Sequence, residues 1–500
     1  MQMNAAGFPI LSSILLLLLA ATLLIWVLRN PRAARWVTLT ATLLGLLLSA
    51  WMLWRFDSSN HGFQFIEQLA WIPTLNISYQ VGVDGISILF LPLTQLLFLG
   101  VILASWNSVR TMIRFYFTLL LLLQLVTLGI FSALDTILFF LFWELTLLPF
   151  YFLISLWGIG PNRRYAAVHY TLFMLAGGVP LLFGLLLLAF NHAEVTGSAI
   201  PQGLAFSYLE LLQTAVPQGA QTLVFLLLLA GFAVKTPLIP LHTWLPVVAQ
   251  EGPVAITALL TGLKLGAYGL LRFVIPLAPQ AALEFHWLLA GLGVVGILYG
   301  GMLALRQSNL RRMLAFSSIS HVGLVILGIA SFNIQGVQGA LFQLLNFTIV
   351  AGGIFLLAGF LHHRTGSTDL LDLGGVARRM PLLAGFFLLF GFAGIGVPGT
   401  SGFPAEFLIL VSAINTHTGA GLAALFGLVL GAGYFLSAYR RAFLGPVKSE
   451  LIADALDLRG RELSLVCLFA LLILIFGLWP SLVVNLTRAA SEAWMARLSL

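Results

Sequence analysis

The chain has 500 residues, of which 60% are hydrophobic and only 8% are charged, and its formal net charge is +7. This composition excludes an ordinary soluble domain, because charged residues usually make up about 25% of globular proteins. The single cysteine, Cys467, excludes a disulfide framework and a thiolate metal cluster. The basic residues are scattered between apolar runs, which indicates orientation in a membrane rather than binding of nucleic acid.

Apolar runs of roughly 20 residues, the length that crosses a hydrocarbon core of about 30 Å, recur from end to end. They predict an all-α polytopic membrane protein with about fourteen spans, near 8–28, 35–54, 85–105, 113–131, 134–155, 166–190, 221–247, 253–276, 284–305, 311–332, 336–360, 382–416, 418–443 and 463–487. The first run lacks a basic leader and a clear cleavage site, so we expect a retained helix rather than a signal peptide.

The basic residues provide a test of this count. Of the 24 lysines and arginines, 18 fall in the odd-numbered connections: Arg29, Arg32, Arg35, Arg110, Arg114, Arg163, Arg164, Arg306, Arg311, Arg312, Arg364, Arg378, Arg379, Arg440, Arg441, Lys448, Arg459 and Arg461. The even connections hold only Arg55 and Arg272, and the tail holds Arg488 and Arg497. Because basic loops stay in the cytoplasm, both termini are expected on the non-cytoplasmic side.

Four predicted spans carry a charged residue near their middle: Glu144, Lys235, Lys264 and Glu406. A lone charge at this depth costs on the order of 2.5–3.5 kcal/mol on insertion scales. Two of the three lysines of the chain are among them, whereas the loops use arginine almost exclusively. Lysine can release its proton and arginine cannot, so the partition favours a proton relay. A structural ion pair that only ties helices together, Glu144 with Lys235 in particular, is the alternative.

Two of these charges stand beside predicted helix breaks. Lys235 precedes Pro237 and Pro240, at the negative end of a half-helix, and Glu406 follows the glycine- and proline-rich segment 394–404, at the positive end of the next half-helix. Broken helices at matching positions are typical of transporters built from inverted repeats. We therefore divide the chain into three N-terminal spans (1–110), a first five-helix repeat (111–277), a second five-helix repeat (278–445) and a C-terminal helix with its tail (446–500).

Three histidines, His169, His242 and His321, lie in or beside predicted spans and could relay protons. Each could equally be a hydrogen-bonded contact between helices. The chain has no phosphate-binding loop after a strand, no dinucleotide fingerprint and no Cys or His cluster for haem or iron–sulfur. We therefore expect no cofactor and no metal in this chain.

The sequence resembles the antiporter-like membrane subunits of respiratory complex I, specifically the NuoM/NdhD type, from about residue 75 to 445. The resemblance rests on the segments 83–87 (VDGIS), 142–149 (FWELTLLP), 234–246 (VKTPLIPLHTWLP), 263–269 (LKLGAYG), 317–321 (SSISH) and 398–407 (PGTSGFPAEF). It implies fourteen helices with two inverted five-helix repeats, sister antiporter-like subunits as partners, and quinone and redox centres on other chains. It also implies that Glu144 and Lys235 form a titrating pair, that Lys264 bridges the halves and that Glu406 delivers protons to the far side.

The sequence departs from this family at several positions. Phe347, next to Asn346, stands where relatives often have histidine, and His169 stands where lysine is common. The relay in the second half is thus expected to run through water or Asn346. The pattern is similar to divergent cyanobacterial paralogues specialised for carbon dioxide uptake. We therefore expect a proton-translocating subunit of a complex I-type NAD(P)H or ferredoxin:(plasto)quinone oxidoreductase, in a bacterial inner membrane or a cyanobacterial thylakoid membrane. The resemblance leaves the electron donor and the quinone open. Two rivals stay open: a subunit of an Mrp-type cation/proton antiporter, and a structural scaffold with inert ion pairs.

Overall fold

The structure is a computed structural model that describes residues 8–499. Within this range, twelve spans are long and apolar enough to cross a membrane, three of them with internal distortions and one formed by only the first half of a broken helix. The helix Phe90–Ser105 and the broken helix Pro381–Gly394 and Gly402–Thr416 add two more, so the predicted total of fourteen is confirmed. In chain order, spans 1–14 are Ile10–Leu28, Pro31–Arg55, Phe90–Ser105, Ile113–Ser132, Thr136–Trp157, Arg163–Thr196, Gln218–Lys235 with Trp244–Glu251, Val254–Leu277, His286–Leu305, Leu310–Ala330, Ile334–Thr365, Pro381–Gly394 with Gly402–Thr416, Thr418–Phe443 and Arg461–Leu478.

The connections separate into two faces, as the alternation of basic residues predicts. On one face odd connections contact one another: Arg35 donates to the Val109 carbonyl oxygen, Asn162 donates its backbone N–H to Glu251, and Arg364 pairs with Glu462. On the opposite face even connections do so, as in the bridge between Val81 and Ala133 and the stacked rings of His286 and His417. We call these the arginine-rich face and the opposite face.

Two elements on the opposite face were not predicted from the sequence. The strands β1 (Gln64–Ile72) and β2 (Ile77–Val83) form an antiparallel hairpin between spans 2 and 3. A separate C-terminal helix, Ser481–Ala496, follows span 14, because Trp479 and Pro480 interrupt the helix at Leu478. Span 14 is therefore shorter than the predicted range 463–487, and the remainder of that range belongs to the C-terminal helix.

Spans 7 and 12, each the fourth of its five-helix unit, are broken as predicted. In span 7 the first half-helix ends at Lys235 and the second begins at Trp244. In span 12 the halves end at Gly394 and begin at Gly402, and Gly396 between them has a φ of +68°, a conformation that favours glycine. Unwound backbone at membrane depth must line protein or water, since lipid offers no hydrogen bonds. The two breaks therefore mark the interior of each unit.

Candidate functional site

Lys235 occupies the last position of the first half-helix of span 7. Its ammonium donates hydrogen bonds to the Trp143 carbonyl oxygen at 3.1 Å and to the Thr146 hydroxyl at 2.9 Å, both in span 5. The same nitrogen lies 3.8 Å from the centroid of the Trp143 ring, a cation–π contact. Span 5 thus supplies hydrogen-bond acceptors for the lysine at the break in span 7.

Glu144, the neighbour of Trp143, is half-buried, and its carboxylate rests against Gly178 of span 6, where any side chain would displace it. It interacts electrostatically with Lys235, but in the described part of the chain the two form no ion pair within 4.0 Å. The lysine instead uses neutral oxygens. A static structural ion pair between these residues is therefore not what the structure contains.

Lys264 lies at a third helix break, which was not predicted from the sequence. Its φ of 41° is left-handed, and it separates the helix Val254–Gly262 from Leu265–Gly269 within span 8. A side chain on Gly266 would collide with the backbone of Lys235 and Thr236, so the breaks of spans 7 and 8 are in direct contact. The flanking glycines at 262 and 266 are the sequence signal that could have indicated this break.

The Lys264 ammonium points away from span 7 into the second half of the chain. It donates a hydrogen bond to the Ser318 hydroxyl of span 10 at 2.5 Å and lies 4.8 Å from the centroid of the Phe347 ring. Lys264 is 3% exposed, so these contacts constitute a buried environment. Phe347, which occupies the position where relatives often have histidine, thus contacts the Lys264 ammonium.

Beyond Ser318 lies a small cavity of about 50 Å³. A water molecule needs roughly 10–15 Å³ of such space, so the cavity has room for about three to five waters. Its polar lining comes from spans 10, 11 and 13 and comprises Ser317, Ser318, His321, Gln343, Asn346 and Tyr434. A pocket with several polar side chains and room for water therefore continues from Lys264 into the second half.

Glu406 lies on the far side of this pocket, in the first turns after the break of span 12. It is 2% exposed, and neither carboxylate oxygen has a hydrogen-bond partner within the described residues. The Nε2 atom of His321 is 3.6 Å from one of these oxygens, while Nδ1 is 2.8 Å from the Ser317 carbonyl oxygen. His321 thus stands between the cavity and Glu406.

The other two predicted histidines are placed differently. His242 is buried on the unwound segment of span 7, with its ring near Tyr299 and Phe316 and with no partner for Nδ1 among the described residues. His169 is half-exposed on span 6, with its ring stacked on Tyr165 at 5.4 Å and tilted against Phe173 at 4.8 Å. The structure therefore brings His321 into the buried series and leaves His169 on a lateral surface.

The structure also reveals a buried ion pair near the opposite face. Arg272 in span 8 binds Asp84 with both terminal nitrogens, at 2.7 and 2.5 Å. Arg272 was counted in an even connection from the sequence, whereas it lies within span 8 and its partner is 188 residues away. Within residues 8–499, no group of three or more His, Cys, Asp or Glu side chains is placed to hold a metal ion.

Fourteen spans, three helix breaks and a buried series of titratable groups define an antiporter-like ion-translocating membrane protein. The sequence profile of the family described as NADH:quinone oxidoreductase/Mrp antiporter, transmembrane, matches residues 133–431. The chain belongs to this family.

Curated relatives cover nearly the whole chain. NADH-quinone oxidoreductase subunit M of Rickettsia conorii is 36% identical, over 93% of this chain and 92% of that protein. NAD(P)H-quinone oxidoreductase chain 4 1 of Synechococcus elongatus is 35% identical, over 99% and 93%. Among solved structures, a chain of respiratory complex I from Thermus thermophilus superposes with a TM-score of 0.88 at 31% identity, over 98% of this chain and 100% of that chain. A chain of the Mrp complex from Dietzia has a TM-score of 0.84 at 23% identity, over 97% of both chains, and so shares the fold.

Proposed function

We propose that this chain is a proton-translocating membrane subunit of a complex I-type NADH-quinone oxidoreductase. In this proposal Glu144, Lys235, Lys264 and Glu406 carry the protons. The observation that supports it is a lateral series of contacts from span 5 through spans 7, 8 and 10 to span 12. Lys235 donates a hydrogen bond to Thr146, close to Glu144 in span 5, and the break at Lys235 contacts the one at Lys264. The Lys264 ammonium reaches the cavity through Ser318, and His321, which lines that cavity, lies 3.6 Å from Glu406.

The geometry suggests how protons move in the second half. The Lys264 ammonium gives up a proton through the Ser318 hydroxyl to water in the cavity, and becomes a neutral amine. The water passes the proton to Glu406, with His321 positioned between them, and the carboxylate becomes a carboxylic acid. Glu406 then releases the proton toward the opposite face along the unwound segment, whose backbone groups bind water. Asn346 lines the same cavity and accepts a hydrogen bond from Ser401 in that segment at 2.5 Å, so it can position the connecting waters.

Electron transfer, with its quinone and redox centres, belongs in this proposal to other subunits, and their state reaches this chain through its lateral surfaces. Glu144 is the best candidate for receiving that signal, because it is half-buried beside the exposed apolar residues Leu145 and Leu148. A carboxylate at this depth is not tolerated in contact with lipid. A sister antiporter-like subunit is therefore expected to cover it.

Two other functions use the same fold. An Mrp-type antiporter subunit is supported by the fold alone, since the Dietzia chain is 23% identical. A scaffold with inert ion pairs does not explain why Glu144 and Lys235 lie without a direct salt bridge. Purification of the chain with its native partners separates the first from our proposal, because only a complex I subunit brings quinone-reducing chains with it.

A photosynthetic variant in a thylakoid membrane, with ferredoxin and plastoquinone as redox partners, is a second candidate. The observation that favours it is Phe347, which replaces the usual histidine directly over Lys264. In a bacterial inner membrane or a thylakoid membrane alike, we infer that the arginine-rich face is cytoplasmic and that both termini lie on the other side. Quinone reduction assayed with NADH and with reduced ferredoxin on the purified complex distinguishes the two variants.

Substitution of Glu406 tests the proposed relay. Glu406→Gln is nearly isosteric but cannot take up a proton, so we expect it to abolish most of the proton uptake per electron in vesicles that contain the assembled complex. Glu406→Asp keeps a carboxylate and should lose only part. Glu492→Gln, on the exposed surface of the C-terminal helix, is the matched control. If Glu406→Gln and Glu406→Asp lose proton uptake equally, residue 406 acts by packing and does not carry protons.

A further inference from the structure

A basic groove lies at the arginine-rich face between the end of span 1 and the beginning of span 4. It has a volume of about 350 Å³ and is lined by Trp26, Pro31, Arg110, Ile113, Arg114 and Phe115, among others. This volume falls within the range of about 300–1,000 Å³ that is typical of ligand sites. None of these residues takes part in the proposed relay.

The arginine side chain that forms one wall is held in place by span 1. Arg114 donates hydrogen bonds to the carbonyl oxygens of Trp26 at 3.0 Å and Ile25 at 3.4 Å, and its guanidinium carbon lies 4.7 Å from the centroid of the Trp26 ring. Arg110 is exposed at the rim of the groove. The groove therefore presents one fixed and one free guanidinium group.

The arginines at this corner have no ion-pair partners among the described residues. Arg29, Arg32 and Arg35 lie in the same face as Arg110 and Arg114, and in the described chain none of the five forms an ion pair within 4.0 Å. The first 134 residues contain only three acidic residues, Asp57, Glu67 and Asp84, all in the connection between spans 2 and 3 on the opposite face. An anionic ligand would supply the missing charge.

An exposed apolar stripe leads from the middle of span 1 to this groove. Leu16, Leu19, Leu23 and Trp26 follow one another at helical spacing and are 61%, 40%, 62% and 49% exposed. A soluble anion would not contact such a stripe. A lipid can place an acyl chain along it while the lipid headgroup reaches the arginines. Basic pockets between helix ends are a known type of site for anionic headgroups, and tryptophan is enriched at the same depth.

We propose that the groove between spans 1 and 4 binds an anionic phospholipid, with the headgroup phosphate on Arg110 and Arg114 and one acyl chain along Leu16, Leu19 and Leu23. The lipid neutralises a corner of the subunit that the chain itself leaves positively charged. This site is independent of the proton relay, because its residues lie outside spans 5–13.

The test uses the assembled complex in nanodiscs with a photoactivatable phosphatidylglycerol, mapped by peptide mass spectrometry. We expect crosslinks within residues 16–31 and 110–115. Competition with unlabelled phosphatidylglycerol should give about thirtyfold weaker binding in Arg110→Gln/Arg114→Gln and about fivefold weaker binding in Arg110→Gln alone, from roughly 1 kcal/mol per arginine at a membrane surface. The single variant removes only an exposed side chain, so its folding is not in question.

The matched control is Arg440→Gln/Arg441→Gln, which removes the same charge from exposed positions at the end of span 13, away from the groove. It should leave the crosslinks at the groove unchanged. The proposal is overturned by unchanged binding in the Arg110 variants, or by equal labelling with a phosphatidylcholine probe. Displacement of the lipid by inorganic phosphate alone would mean an anion site without a lipid. Absence of any crosslink in the unmodified complex would also overturn it, since a partner chain would then cover the groove.

Discussion

The ion pair between Asp84 and Arg272 offers a quantitative test of how the opposite face is held together. Asp84→Asn removes the negative charge but keeps a side-chain oxygen, which can still accept the backbone N–H groups of Ile86 and Ser87 that Asp84 accepts at 3.1 Å. The side chains of Arg272 and Asp84 are both 6% exposed, so the substitution leaves an arginine buried without its counter-charge.

The expected loss of stability follows from this burial. Removal of one partner of a buried ion pair costs about 3–5 kcal/mol, because the remaining charge stays desolvated. The rings of Phe63, Tyr208 and Tyr268 lie 5.2–5.9 Å from the guanidinium carbon and continue to stabilise it. We therefore expect the lower end of the range, about 3 kcal/mol.

The assay is the thermal denaturation midpoint of the purified complex, measured for Asp84→Asn, Arg272→Met and the double variant. The double variant should recover most of the loss, since replacing a buried ion pair by neutral groups is often close to neutral. Glu492→Gln is the control, because its exposed pair with Arg488 is worth at most about 1 kcal/mol. Two results would refute the reasoning. One is an Asp84→Asn complex that denatures at the same temperature as this control. The other is a double variant whose loss of stability equals the sum of the losses of the two single variants.

Three further predictions concern the relay and the orientation. Glu144→Gln should abolish most proton uptake per electron in vesicles while the complex still assembles, because the amide cannot take up the charge that Lys235 faces; full uptake in an assembled complex would contradict this. Asn346→Leu should slow proton uptake by removing polar lining from the cavity, whereas His169→Gln, on the lateral surface, should affect it little; the reverse order would remove the cavity from the pathway. In a chain without Cys467, an impermeant thiol reagent added from the non-cytoplasmic side should label cysteines at Ser58 and Ser198 and spare Ser449, and the opposite pattern would invert the topology.

The sequence predicted the spans and two of the three breaks because both have local causes. A span is a run of about 20 apolar residues, and the breaks at Lys235 and before Glu406 contain prolines and glycines in succession. The break at Lys264 was missed because a lysine with a positive φ is uncommon, and only two glycines flank it. The backbone there is held by neighbouring spans, which a single sequence does not reveal.

The candidate site could be predicted residue by residue, but its connections could not. An intramembrane charge is conspicuous because of its cost, whereas Ser317, Ser318 and Tyr434 are ordinary helix residues until the fold places them around a cavity. The pairing of Asp84 with Arg272 joins positions far apart in the chain, and no local pattern indicates it. The hairpin was not predicted for a related reason, since the long apolar runs of spans 2 and 3 on either side of it dominate the hydrophobic pattern of this region.

At the opposite face, the end of span 8 is covered by Asp84 and by the C-terminal helix, and this arrangement has a consequence for biosynthesis. It is built from two segments that are far apart in the chain. Asp84, directly after the hairpin, binds Arg272, and the indole of Trp494 donates a hydrogen bond to the Leu271 carbonyl oxygen at 2.8 Å. Gly85 packs against the backbone of Leu486 and Thr487, so hairpin and C-terminal helix also meet directly. A ribosome releases Trp494 only after all fourteen spans have left it. The end of span 8 at the opposite face can thus be closed only after span 14 has been synthesised, because Trp494 follows that span in the chain.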